Sequence, residues 1–453
     1  MIGFGIMLLA VYLYWESSKR YLSVFLVFFI VTGGFQLVPT DLMVLSTIGI
    51  TKTYDWALVY LILLLVVEPR IILNLTIWKD RNGIALYSGV LLFLLLYNLL
   101  FVGVEVQVAI RVFRNYIFFL LLFPFVNLPT PDFIKVFRLL TYFTTLASFL
   151  FCLQPLLGHG ILAGAPELLP DEGGGLIRFY NLPYFLVPVT LALLVGKSSL
   201  NLRYHYLVLT INLVAIVLSQ HRNLILSIPI CYFTFLIIQN KLNLIKVTAS
   251  SVAIVVAFFC INYFFEGRFF KGIVKLSESF NEVTPTIIQY ANLSDISTTE
   301  FRRLHFMERL YYVQADVLKS LFGIGFLTED SALTKQLSFN IGLLTEYGDI
   351  IQVDTSDITW SLLLVHFGLV GIAAFLYFYW SCLRICYSNK DQALFMLGVL
   401  YITNLLFISF FGIDIVSVHT ITLLAFILGF YYSLKSHINQ KSQPETQIQQ
   451  YAS

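Results

Sequence analysis

Charge is what this chain has least of. Asp, Glu, Lys and Arg together make up 12% of its 453 residues, about half the share of soluble domains, which excludes a water-soluble globule. Cysteine pairs are missing as well. Cys152, Cys231, Cys260, Cys382 and Cys386 are scattered through apolar stretches, with no CxxC pair or Cys/His cluster to frame a disulfide scaffold or hold a metal. Cys382 and Cys386 fall one helical turn apart and read as two packed thiols. There is no basic block and the net charge is +2, so nothing points to nucleic acid. Neither a repeat of roughly 20–50 residues nor a matching pair of Gly/Pro-broken spans in two halves is visible.

What fills the chain is hydrophobic residues, 58% of the total. They come in runs near the roughly 20 residues that cross a bilayer as helix, without the alternation of a membrane barrel. The expected fold is an all-α polytopic membrane protein of about 12–13 transmembrane helices with one large external loop containing amphipathic helices. Spans are expected at 3–15, 21–37, 54–67, 84–103, 108–126, 136–157, 179–196, 204–218, 224–238, 247–265, 358–383, 393–411 and 415–434. The apolar N-terminus has no basic region or small-residue cleavage site, so it reads as a first span rather than a removable signal. The chain then divides into ten spans over 1–265, the external loop at 266–357, three spans over 358–434, and a Gln-rich, disordered tail at 435–453.

Orientation follows from the short loops. Lys19/Arg20, Arg70/Lys79/Arg81, Lys135/Arg138, Lys197/Arg203, Lys241/Lys246 and Arg384/Lys390 fall on one side, with the tail; that side is cytoplasmic. Asp41/Asp55, Glu105, Glu167/Asp171/Glu172, the long loop and Asp414 face the periplasm or exterior. Trp15, Trp56, Trp78 and Trp360 sit at span ends, as aromatic-belt residues do.

Arginine grips phosphate through two parallel hydrogen bonds and never loses its charge. Arg222 lies with His221 in a short outward turn between two spans, where it either snorkels or contacts substrate. Arg178 follows three glycines (Gly173, Gly174, Gly175) at a span entrance; backbone amides and a guanidinium there suit an anion, although a flexible loop and a boundary charge explain the same residues. In the loop, 301–318 reads as an amphipathic helix. Arg302 and Arg309 share one face and Arg303 another, with Glu308 alongside, so the helix is either an anion-binding face or simply solvated. The stretch at 268–275 is also amphipathic and suits the membrane interface. Arg111 and Arg114 fall in the outward half of the fifth span, either lining a cavity or pairing with Glu105. His366 and His419 read as core or interface histidines. Two carboxylates, Asp354 and Asp357, stand at the mouth of the eleventh span. Either caps a helix, or Asp357 accepts a proton from a sugar hydroxyl.

Four segments carry a resemblance. Arg178 to Pro183 is similar to an Arg-then-Asn-Pro segment with one inserted residue. Ser219-Gln-His-Arg222 is similar to a Ser-x-x-Arg segment, and Arg303 to Phe326 to an Arg-helix-Gly-x-Gly segment. Ser356-Asp357 through Gly368-Leu-Val-Gly371 is similar to a Ser-Asp element followed by Gly-(Leu/Ile)-x-Gly. In this order, and with this general plan, the chain resembles the O-antigen polymerase (Wzy-type) and O-antigen ligase superfamily of bacterial membrane glycosyltransferases. Asp rather than His at position 357 leans toward polymerase. The resemblance implies a GT-C-like enzyme of the bacterial inner membrane with its site facing outward. It would transfer a glycan from undecaprenyl diphosphate to the non-reducing-end hydroxyl of another lipid-linked repeat unit. It implies no cofactor or metal: arginines stabilise the departing diphosphate and Asp357 is the base. Its partners would be the lipid-linked oligosaccharide, the bilayer, a chain-length regulator and a flippase. Ligation to a lipid acceptor, transport of lipid-linked sugars and a non-catalytic assembly role are the competing expectations.

Overall fold

The computed structural model describes residues 2–46, 49–71, 77–78, 83–164, 177–196, 200–239, 248, 298–343, 350–353 and 358–441. Among them the chain is helical, without strands. Four helices are long and apolar enough to cross a membrane, Ile84–Val102, Thr130–Leu157, Thr359–Ser388 and Val418–Ser436. A pair bent by 49°, Val106–Tyr116 with Phe118–Val126, makes up to five. Shorter apolar helices of 10–17 residues accompany them. Helices such as α1 (Ile2–Trp15) and α2 (Asp55–Val67) are apolar on every side; a helix of that kind is buried in protein or in lipid. Tyr12, Ile62 and Val66 remain more than half exposed, the faces a bilayer would cover. The protein is a helical membrane-embedded chain. Helices stand at most of the expected positions with shifted ends, but among the described residues only four of them, or five with the bent pair, are long and apolar enough to cross a membrane; the expected span at 247–265 lies, apart from residue 248, outside the described residues.

Three spans differ from expectation. The helix of the sixth expected span, α3 (Thr130–Leu157), starts before residue 136 because a proline enters its first turn beside Asp132, both favourable at a helix N-terminus. The fifth expected span is bent. The break falls at Ile117, between Val106–Tyr116 and Phe118–Val126, and just before it Arg114 pairs with buried Asp55 at 2.9 Å, since a buried charge needs a partner. The last helix, α4 (Val418–Lys441), runs past 434 into the stretch expected to be disordered; no glycine or proline stops it before Lys441.

Aromatic rings bring the helices together. Phe28 lies 6.0 Å from Phe125, 5.5 Å from Phe185 and 5.4 Å from Phe426. Polar side chains fix helix pairs where apolar packing cannot discriminate. Asn212 on α5 (His205–Leu218) accepts from Ser148 at 2.8 Å and donates to Thr145 at 2.9 Å, both on α3.

The glycine motifs explain one another. The helix α6 (Thr359–Ser388) breaks at Gly368, whose φ is +58° and ψ −167°. The break frees the Val365 carbonyl, which accepts from the amides of Ile324 and Gly325 at 2.7 and 3.1 Å. Those residues follow the short helix α7 (Val317–Phe322). A Cβ on Gly368 would stand 2.6 Å from the Leu321 carbonyl, and one on Gly323 within 2.9 Å of the Gly368 nitrogen. Backbone meets backbone here, anchoring the segment that carries α7 to the long apolar helix. Gly368→Ala should therefore cost on the order of 2–5 kcal/mol, from overpacking and a φ/ψ region reserved for glycine. Thermal unfolding in detergent checks this; an unchanged melting temperature would mean that the two segments are not in contact.

Candidate functional site

Arg178 is held by a buried pair of amides. Gln154 near the end of α3 donates to Asn181 Oδ1 at 3.0 Å and accepts from Asn181 Nδ2 at 3.2 Å, while also accepting from the amides of Ile161 and Leu162 at 2.9 Å. With Asn181 fixed, the segment that enters α8 (Leu186–Val195) is fixed too. The Arg178 guanidinium lies 4.6 Å from the centre of the Tyr180 ring and its Nη2 donates to His221 Nδ1 at 3.4 Å.

His221 precedes α9 (Arg222–Ile238), in a turn tightened by Gln220, a non-glycine residue at φ +55°. Backbone in this region costs roughly 1–3 kcal/mol and tends to persist where a site requires it. Burial, then the nearby Arg178 and Arg302, push the His221 imidazole down to about 4, so the ring is neutral at pH 7. Because Nδ1 accepts from Arg178, the ring proton sits on Nε2, which has no hydrogen-bond partner among the described residues. Arg302 arrives from the helix α10 (Thr298–Gln314), its guanidinium 6.0 Å from the Phe411 ring centre. Two arginines and a histidine from three distant segments thus converge.

They converge beside a cavity of about 530 Å3, within the roughly 300–1,000 Å3 of sites that take small organic ligands. His221 and Phe411 line it, with Leu186, Ile408 and Ile413 on its apolar side. Asp414, in the turn between α11 (Ala393–Ile408) and α4, also lines it. Asp414 keeps exposed surface, while the protein packed around its carboxyl withdraws it in part from water. That withdrawal raises it above the ordinary carboxylate range, and no hydrogen bond or ion pair engages its side chain among the described residues.

No model of a known protein family matches this chain, and no curated protein matches it.

The other expected site residues separate into two groups. Asp354 and Asp357 lie outside the described residues, as does the side chain of Arg222, whose backbone opens α9. The chain resumes at Ile358, and the Thr359 hydroxyl donates to the carbonyl of Gly412, a cavity residue. The second group has structural partners. Arg309, with 0% exposure, donates to Glu308 at 2.8 Å, to the Ile341 carbonyl at 2.5 Å and to the Gln352 carbonyl at 3.1 Å. Glu308 accepts from the amides of Asn340 and Ile341. Burial pulls Arg309 down to about 10 against the pull of Glu308 and Glu329, so it stays charged and ties residues 308, 341 and 352 together. Arg302 and Arg309 do belong to one stripe of α10, but only Arg302 reaches the cavity's edge. Arg303 is half-buried and not among the cavity's lining residues. Arg111 pairs with Asp330 at 2.7 Å and Arg114 with Asp55; neither pairs with Glu105, which accepts from Ser331 and Ala332 instead. Buried His366 bridges the Tyr116 hydroxyl and the Leu327 carbonyl. His419 stacks on Tyr184 with centroids 3.8 Å apart and lines the cavity.

The residues that sequence reasoning passed over are Asp414, Asn404 and Tyr401. A signal existed: Tyr401, Asn404, Leu405 and Ile408 mark one face of an apolar helix at i, i+3, i+4 and i+7, with an amide in the middle.

The buried imidazoles set a pH dependence. His305, whose Nδ1 lies 3.0 Å from Ser361 Oγ, is pushed by burial, then by Arg309, to about 2. The unfolded chain takes up protons on these rings as pH falls below about 6.5, whereas the folded chain does so only near the depressed values. Stability is therefore complete above about pH 6.5 and declines as pH falls toward 4. The melting temperature in detergent should drop across that window, and the drop should shrink in His305→Asn. An identical drop in wild type and variant would place the His305 ring in water.

Proposed function

We propose that this chain is an envelope polysaccharide polymerase of the bacterial inner membrane, with its site on the periplasmic or outer face. It passes a glycan from undecaprenyl diphosphate to a non-reducing-end hydroxyl of another lipid-linked repeat unit. The observation that carries this reading is the convergence of Arg178, His221 and Arg302 beside a cavity lined by both apolar and polar side chains. A lipid-linked diphosphate needs cations at a membrane boundary and an apolar flank, and its negative charge grows as the glycosidic bond breaks. Preorganised donors that meet this charge stabilise the transition state more than the ground state. Neutral His221 offers Nε2–H as a further donor. Arg222, at the start of α9, adds a cation from the same turn. Asp357, two residues before Thr359, whose hydroxyl bonds Gly412, is the base that activates the acceptor hydroxyl. The oxygen so activated attacks the anomeric carbon, the bond to the diphosphate breaks, and undecaprenyl diphosphate leaves.

Deleting the gene tests this reading in the cell. Surface glycan should shrink from polymer to a single repeat unit. Full-length polymer left unattached to its lipid acceptor would point to ligation instead, and lipid-linked units trapped on the cytoplasmic face would point to transport.

A further inference from the structure

One wall of the cavity carries hydrogen-bonding capacity that the protein leaves unused. Asn404 has 0% exposed surface and lines the cavity, yet its Oδ1 has no hydrogen-bond partner among the described residues. Its Nδ2 has at most the weak sulfur acceptor of Cys231 beside it, whose own thiol donates to the Leu400 carbonyl. A buried amide oxygen with nothing to bond is destabilising, a cost that leucine at this position would avoid. Gln36 lines the same cavity in a left-handed conformation, φ +61°. Its Nε2 donates to the Asn181 carbonyl at 3.3 Å, and its buried Oε1 has no partner. Asp414 contributes an unpaired carboxylate. Between them runs a chain of hydroxyls, Tyr401 to Thr420 at 2.9 Å and Ser417 to Thr420 at 3.0 Å. The stacked rings of Tyr184 and His419 also line the cavity.

These groups define a ligand chemistry. No cation stands among Gln36, Asn404 and Asp414, so nothing here draws a second diphosphate. Asn404 offers a donor and an acceptor together, while Gln36 and Asp414 offer acceptors. A neutral ring bearing several hydroxyls, each able to donate and accept, satisfies all three. Flat aromatic surface suits the apolar face of such a ring.

We propose that Gln36, Asn404 and Asp414 form a saccharide subsite in which sugar hydroxyls complete the hydrogen bonds the protein leaves open. Naming its occupant as the acceptor sugar rests on the polymerase reading; sugar binding itself does not.

The test uses the full chain in nanodiscs and native mass spectrometry. The probes are dodecyl glycosides with gluco, galacto and N-acetylamino heads, against a dodecyl polyoxyethylene ether that shares the chain but lacks the sugar. Wild type should retain at least one glycoside about tenfold over the ether. Asn404→Leu, which suits an apolar helix, should keep its ether binding and lose the preference, and Asp414→Asn should weaken it. Wild type without a preference, or Asn404→Leu retaining it, would overturn the subsite and leave water as the partner of Asn404. If Asn404→Leu fails to fold, Asp414→Asn decides alone: an unweakened preference would overturn the subsite. Undecaprenyl diphosphate, measured in parallel, separates the two readings. A sugar preference without diphosphate binding would sink the polymerase assignment and keep the subsite, and the reverse would do the opposite.

Discussion

Arg178→Lys keeps the charge and is expected to lose glycan transfer by about 10² to 10³ in rate, the loss typical of removing one preorganised donor to a developing oxyanion. In the structure the guanidinium donates to His221 Nδ1 while lying over Tyr180. Its planar fork can hold that contact and still present other N–H groups to a diphosphate. An ammonium on a flexible stem lacks the fork and the flat face that rests on tyrosine. Losing the Arg178 contact would also free the His221 ring to turn, removing the donor at Nε2. Arg222→Lys should behave similarly, because Arg222 follows His221 in the turn that Arg178 contacts. Transfer near the wild-type rate by Arg178→Lys, at equal membrane abundance, would reduce Arg178 to a boundary charge.

Asp357→Asn should abolish chain extension, with a loss of about 10² to 10⁴, the usual worth of a general base. The amide preserves size and capping ability but accepts no proton. Were Asp357 only a helix cap, the variant would behave like wild type, since Asn caps about as well as Asp. Asp354→Asn is the internal control and should be mild. Asp414→Asn provides a second contrast. As a sugar-binding residue it should raise KM for the acceptor with a smaller effect on kcat, because it acts in the ground state as well as the transition state. A dead Asp414→Asn beside an active Asp357→Asn would move the base to position 414.

Much of this arrangement was legible in the chain, and particular residues show where legibility ended. Apolar runs announced the helices because the bilayer length is fixed, and Arg178 and His221 stood out because charge at a span entrance is rare. The bend at Ile117 was hidden, as was the partner of Arg114 beside it, Asp55, 59 residues away. Arg302 and Arg309 share a helical stripe, yet one reaches the cavity's edge and the other is buried among loop carbonyls. Helical spacing says which face a residue occupies but not what chain folds against it. The glycines at 323, 325 and 368 read as motif letters. Their reason, two backbones in contact, exists only in three dimensions. Asn404 was overlooked because a single amide in an apolar run is unremarkable until its neighbours prove unable to bond its oxygen.

The central claim is polymerisation at the site beside this cavity, and the most direct measurement is chain length. Purified protein in nanodiscs would be supplied with lipid-linked repeat units and the products resolved by size. A ladder should form with wild type and vanish with Arg178→Lys and Asp357→Asn. Single-unit lipid persisting with active, well-folded wild type, or a full ladder from both variants, would contradict the account.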